Sequence, residues 1–188
     1  MHKTSNWLTA SAILLVPSVL GACAQTDSQP EAQGPGERVE SQALDLAINE
    51  LPAAFEVETN DASGLILAVP GSAGPARATF ELGHITVGGI NLVAEAKASK
   101  EAFEAQPQGQ FFGNQELVTP FGSVFTSRGS YLEDEEAVEE LQAYALHPTS
   151  NRLLKISMHY PPSESGERAQ QFLGLIGEIG PLVSSGSE

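Results

Sequence analysis

The run Asn151-Arg152-Leu153-Leu154-Lys155-Ile156-Ser157-Met158-His159-Tyr160-Pro161-Pro162 decides how the rest of the chain is read. Leu154, Ile156, Met158 and Tyr160 recur at every second position from Arg152 to Tyr160, the period of a strand with one buried face. Pro161-Pro162 ends the strand. Glu167 to Ile179 then reads as a helix, with Ala169, Phe172, Leu173, Ile176 and Ile179 on one stripe. Upstream, Phe111–Val118, Ser123–Leu132 and Val138–His147 are also strand-like. They are joined by the short polar links Thr119–Gly122, Glu133–Glu136 and Pro148–Asn151. Short links between successive strands make antiparallel neighbours, so this half of the chain is expected to be a meander.

Further upstream, Leu44, Ala47, Ile48 and Leu51 fall at helical spacing and Pro52 closes the run, which predicts a short amphipathic helix. Phe55–Thr59 and Leu65–Val69, separated by Asn60-Asp61-Ala62-Ser63-Gly64, predict a β-hairpin, and Arg77–Leu82 a third strand. Ile90–Gln106 predicts the longest helix, with Leu92, Val93, Ala96 and Phe103 facing inward and Pro107 stopping it. Strands and helices do not alternate. The expected class is therefore α+β: a mostly antiparallel sheet, an N-terminal hairpin plus the C-terminal meander, packed with about three helices. The hairpin, the long helix, the meander and the ending from Asn151-Arg152-Leu153 through Pro161-Pro162 into Glu167-Arg168-Ala169-Gln170-Gln171-Phe172 together resemble the PsbP-like α/β/α sandwich. The resemblance covers about residues 43–183 and implies binding and assembly roles more than catalysis.

The N-terminus carries a different kind of signal. Lys3 precedes an apolar stretch, Leu8 to Leu20, that is too short to span a bilayer and contains Pro17. It ends in Leu20-Gly21-Ala22-Cys23, which resembles the lipobox of bacterial lipoproteins. That resemblance implies cleavage between Ala22 and Cys23, a diacylglyceryl group on the Cys23 thiol and an acyl chain on its amine. Such a doubly anchored residue holds to a membrane stably. Ala24, where Asp would mark inner-membrane retention, implies the outer membrane, facing the periplasm, in a Gram-negative cell. The expected organisation is a signal peptide over 1–22, the lipidated Cys23 and a disordered tether over 23–42, one domain over 43–183, and a loose tail over 184–188. The tether is rich in Gln, Ser, Pro, Gly and Glu and has little to bury; its flexible reach is about 25 Å.

Lys3 leaves with the leader, so eight basic residues face 24 acidic ones, a formal charge of −16. Such a surface repels nucleic acid and anionic headgroups. Cys23 is the chain's one cysteine, so its lipidation leaves no thiol for a disulfide, a metal or a nucleophile. His84, His147 and His159 remain. Glu81 and His84 are three apart, but no His-Glu-x-x-His pattern exists. A hairpin centred near Ser150 pairs His147 near Leu153 and His159 near Leu141, which separates the two rings by about 20 Å. Each is expected on a strand surface. Ser72 sits in Pro70-Gly71-Ser72-Ala73-Gly74, which lacks the first glycine of a nucleophile elbow.

The run Glu133-Asp134-Glu135-Glu136, followed by Glu139-Glu140, reads as a hairpin loop and an exposed strand face. A weak calcium site is the alternative, though the EF-hand spacing is missing. Tyr144, Leu146, Leu154, Ile156, Met158 and Tyr160, with Phe125 and Tyr131, read as core under a helix, or else as an apolar groove. Three functions follow in order. The first is a non-enzymatic, membrane-anchored envelope lipoprotein whose domain binds a protein partner or assists assembly, with no cofactor, no metal and no nucleic acid. The second is a carrier of a lipid or small apolar ligand between sheet and helices. The third is a hydrolase with a scattered site.

Overall fold

Alternation in the C-terminal half builds the sheet that organises the molecule, a computed structural model that describes residues 36–85 and 89–182. Strands β1 (Val39–Ser41), β2 (Leu46–Ile48), β3 (Glu56–Asp61), β4 (Gly64–Ala68) and β5 (Arg77–Ile85) precede helix α1 (Leu92–Ala105). Then come β6 (Gln110–Thr119), β7 (Gly122–Glu133), β8 (Glu136–Leu146), β9 (Arg152–Tyr160), helix α2 (Ser165–Gly177) and β10 (Ile179–Pro181). Seven strands form one antiparallel sheet in the order β3-β4-β5-β9-β8-β7-β6, and β1-β2-β10 form a second sheet of three. The class is α+β with antiparallel sheets, as the sequence implies, and the meander stands where the alternation places it. The hairpin β7–β8 turns through Asp134 and Glu135, both at positive φ, which matches the twist of the strands they join.

Helix count and boundaries differ from expectation. Among the described residues there are two α-helices and a single 3-10 turn at Pro162–Glu164. Residues 44–51 are not helical. Leu46, Ala47 and Ile48 form β2, the middle strand of the small sheet, and are buried on every side. The spacing of Leu44, Ala47, Ile48 and Leu51 that mimics a helix arises because the whole segment lies inside the core. Its partner β10 pairs Ile179 with Ile48, so Ile179 extends the small sheet, whereas α2 ends at Gly177. The folded unit also begins earlier than the tether expected over 23–42 allows: Val39 and Ser41 are wholly buried and pair with Ile48 and Leu46. Cys23 and Ala22 lie outside the described residues.

The main core fills the space between one face of the large sheet, α2 and the small sheet. Leu141, Ala143 and Ala145 of β8 and Leu154, Ile156 and Met158 of β9 meet Phe172, Leu175 and Ile176 of α2 and Leu46 and Ile48 of β2 there. The opposite face carries α1, which buries Ala96, Ser99 and Phe103. Val93, expected inward, is 64% exposed. Asn91 caps α1, its side-chain oxygen accepting from the backbone N–H groups of Val93 and Ala94.

Candidate functional site

Register decides which side chains share a face. Leu146 pairs with Leu153 and Ala145 with Leu154, so even-numbered residues of β8 lie beside odd-numbered residues of β9. The expected pairing differs by one residue, and a one-residue slip reverses every side chain. Tyr144 and Leu146 therefore lie on the α1 face, across the sheet from Leu154, Ile156, Met158 and Tyr160. The apolar groove expected from these residues together does not form. Where their core half meets α2, the remaining cavity is about 10 Å³, lined by Phe121, Val124 and Ile156 among others. That is space for about one water and none for an acyl chain, so this part of the expected lining is filled core.

The charged residues of β8 depart further from expectation. Glu139 and Glu140, expected on an exposed face, are both buried, on opposite sides of the sheet. On the core side Glu139 Oε2 accepts from Arg128 (2.8 Å), from the Ser165 hydroxyl (2.9 Å) and from the Tyr160 hydroxyl (3.3 Å). On the α1 side Glu140 Oε1 accepts from Gln142 Nε2 (2.7 Å) and faces His159 Nε2 at 3.3 Å, while the Tyr131 hydroxyl reaches Oε2 at 3.4 Å. Gln142 Oε1 accepts in turn from Ser99 of α1 at 2.6 Å and from the Tyr144 hydroxyl. Burial opposes the charge of Glu140, but hydrogen bonds from His159 and Gln142 and the charges of His159 and Lys155 outweigh it and hold its pKa down. The hydrogen bond to Glu140 raises His159. Burial pushes Tyr144 up to about 12.

His159 remains half exposed on a strand, as expected. It lines a cleft of about 390 Å³ together with Arg77, Thr79, Glu133 and Val138 among others. His147 does not lie on the surface. It is wholly buried, its Nε2–H donating to the carbonyls of Leu44 (2.9 Å) and Asp45 (3.0 Å), while Nδ1 accepts from the Ser150 N–H (3.3 Å). These partners orient the ring, which pins the β1–β2 turn to the β8–β9 turn. His84 lies on β5, and its side chain is outside the described residues; Glu81 pairs with Lys155 across the β5–β9 ladder. The Ser72 hydroxyl donates to Glu164 at 2.7 Å, in a clamp that Arg168 and the backbone N–H of Ala73 complete. Among the described residues no group of three His, Cys, Asp or Glu is placed to hold a metal ion.

A surface the sequence did not single out is the free edge of the large sheet. β6 runs ten residues, and no described strand pairs with its outer side. The alternation of the strand sends the neighbouring Phe111 and Phe112 to opposite faces, and a bulge lies between Phe111 and Gly113. Phe111 packs on Phe103 of α1 with ring centroids 6.3 Å apart, while Phe112, 48% exposed, lies 5.3 Å under the Arg128 guanidinium. Between β6 and α2 lies a groove of about 240 Å³, lined by Phe112, Arg128, Leu141, Ala169 and Leu173 among others. Further along the edge Val118 is 88% exposed. Lone exposed apolar residues are ordinary, but two on a long edge strand with Glu116 as its single charge leave that edge unguarded.

No protein-family model matches the chain, and no curated protein matches it in sequence. Solved structures do match its fold. LpqN of Mycobacterium tuberculosis, described as involved in cell envelope biogenesis, superposes with a TM-score of 0.57 at 14% identity, over 78% of this chain and 86% of that one. The Ran-binding protein Mog1p of Saccharomyces cerevisiae gives 0.58 at 11% identity, over 80% and 97%. Cyanobacterial PsbP of Synechocystis sp. PCC 6803 gives 0.55 at 9% identity, over 86% and 98%. The chain thus shares the fold of these proteins, in agreement with the PsbP-like resemblance read from its ending. Identities this low carry the likeness of fold alone. No helix among the described residues is long and apolar enough to cross a membrane.

Proposed function

We propose that this protein is a non-enzymatic lipoprotein of the bacterial cell envelope, anchored through lipidated Cys23, whose domain binds a protein partner along the free edge of its large sheet. In a Gram-negative cell Ala24 directs it to the outer membrane, facing the periplasm. The observation that carries the partner reading is β6, a long unpaired edge with exposed Phe112 and Val118. An extended partner segment added there would gain main-chain hydrogen bonds along the strand and side-chain contacts on both faces. The lipobox-like Leu20-Gly21-Ala22-Cys23 carries the anchoring.

Two measurements test the reading. Fatty-acid labelling should be lost in Cys23→Ser, with the protein leaving the membrane fraction; unchanged fractionation would refute the anchor. A photo-crosslinking residue at position 118 should give a discrete adduct in native membranes that the same residue at position 81, on β5, does not. Equal adducts at both positions, or none at 118, would refute the β6 surface.

A further inference from the structure

The two halves of α1 are held to the sheet differently. The Phe103 ring pins the C-terminal half. It packs on Phe111 and Tyr131 and lies so close over Gly129 that a Cβ there would come within 2.5 Å of it. The middle is held through Ser99, whose hydroxyl donates to Gln142, and near the start Val93 faces solvent. Gln142 is positioned by Glu140, and the oxygen of Glu140 that takes Gln142 also faces His159. A chain of polar contacts therefore runs from the surface, at His159, to the underside of the helix. The hydroxyl of Ser127, the register partner of Gln142, is buried there without a hydrogen-bond partner. Polar contacts and an unsatisfied hydroxyl mark the underside of α1 as its weakest attachment.

We infer that α1 is a proton-responsive flap: the charge on His159, relayed through Glu140 and Gln142 to Ser99, sets how tightly the helix closes on the sheet. The groups facing His159 are Glu140 on β8, Arg77 beside it on β5, Lys155 on its own strand, and Glu133 at the end of β7. Asp134 and Glu136 line the same cleft, and Arg77 is itself held by Glu58. Acidic groups outnumber basic ones around the ring, which favours its protonated form.

The raised pKa of His159 means that its contribution is complete below about 6.5 and is lost as pH rises through the higher folded value. The lowered pKa of Glu140 means that its contribution is present above about 4.5 and is lost as pH falls through the lower folded value. The clasp is therefore tightest in mild acid. In alkali Glu140 keeps its charge beneath the helix while the ring beside it is neutral. Gln142 holds that carboxylate through its Nε2 and the Ser99 hydroxyl through its Oε1, so one side chain carries the change at His159 to the helix.

Amide hydrogen exchange of the full-length protein in detergent, at pH 5.5 and 8.5 and corrected for intrinsic rates, tests this. Protection of residues 96–103, measured against α2, should fall by about two- to fivefold at the higher pH, the size expected of a half-exposed ion pair. His159→Lys, which keeps the charge, should hold the low-pH protection at both values. His159→Gln should show the high-pH protection at both. An unchanged α1 in the wild type, or an equal fall in wild type and His159→Lys, overturns the inference.

Discussion

On the face of the large sheet that α2 covers, Leu141, Ala143, Ala145, Leu154 and Ile156 meet Phe172 and Ile176, and the space left over is about 10 Å³. On the face that α1 covers, Glu140, Gln142 and Tyr144 take the equivalent places on the same strand, and the helix meets them through Ser99. The strand is shared, so propensity does not distinguish the two sides; the residues at odd and even positions of β8 do. The first face is held by area removed from water and by close packing. The second combines the packing of Phe103 with directed contacts at Ser99, each of modest net worth and costly if left unmade. A domain built this way keeps one helix fixed and can release the other.

The sharpest way to break the comparison is to cut each face and measure unfolding by denaturant. Phe172→Ala, on the filled side, should cost about 3–5 kcal/mol, because a cavity is added to the lost burial. Gly129→Ala should cost about 1–3 kcal/mol, because its new methyl group collides with the Phe103 ring. Ser99→Ala should cost about 0.5–1.5 kcal/mol, the net worth of one hydrogen bond. If Ser99→Ala proved as damaging as Phe172→Ala, the contrast between the faces would collapse.

The smallest effect concerns pH. Backbone and side-chain hydrogen bonds from Ala73 and Ser72, with Arg168 beside them, hold Glu164 down to about 2. Its contribution at the start of α2 is therefore present above about 4.5 and is lost as pH falls towards 2. Glu164→Gln should flatten the acid limb of the stability profile and leave the alkaline limb unchanged. The two helices then loosen at opposite ends of the scale, α2 in acid and α1 in alkali.

Much of this architecture was legible in the sequence because the meander is local: β6 to β9 are joined by short turns, and their alternation survives in the finished sheet. The small sheet was not legible, because β2 finds β10 about 130 residues later and its spacing imitates a helix. The site failed for two physical reasons. Register at the Pro148–Asn151 turn, where Asn151 takes a positive φ, is fixed by turn geometry, and the one-residue difference sends Tyr144 and Ile156 to opposite faces. Glu139, Glu140 and His147 read as surface residues by type. They are buried because Arg128, His159 and the Leu44 and Asp45 carbonyls, all distant in sequence, come to meet them.

The small sheet also determines how the domain bears a pull. The described chain begins at Gly36, and β1 is the outer strand of that sheet, with β2 between it and β10. Tension entering at Gly36 is first shared by its own N–H on the Leu51 carbonyl and by the Glu37 carbonyl on the Leu51 N–H. It then passes along β1 to the turn that His147 rivets at Leu44 and Asp45. Asn60 of β3 also donates to the Glu40 carbonyl at 2.9 Å, so a pull along β1 reaches the large sheet at the edge opposite β6.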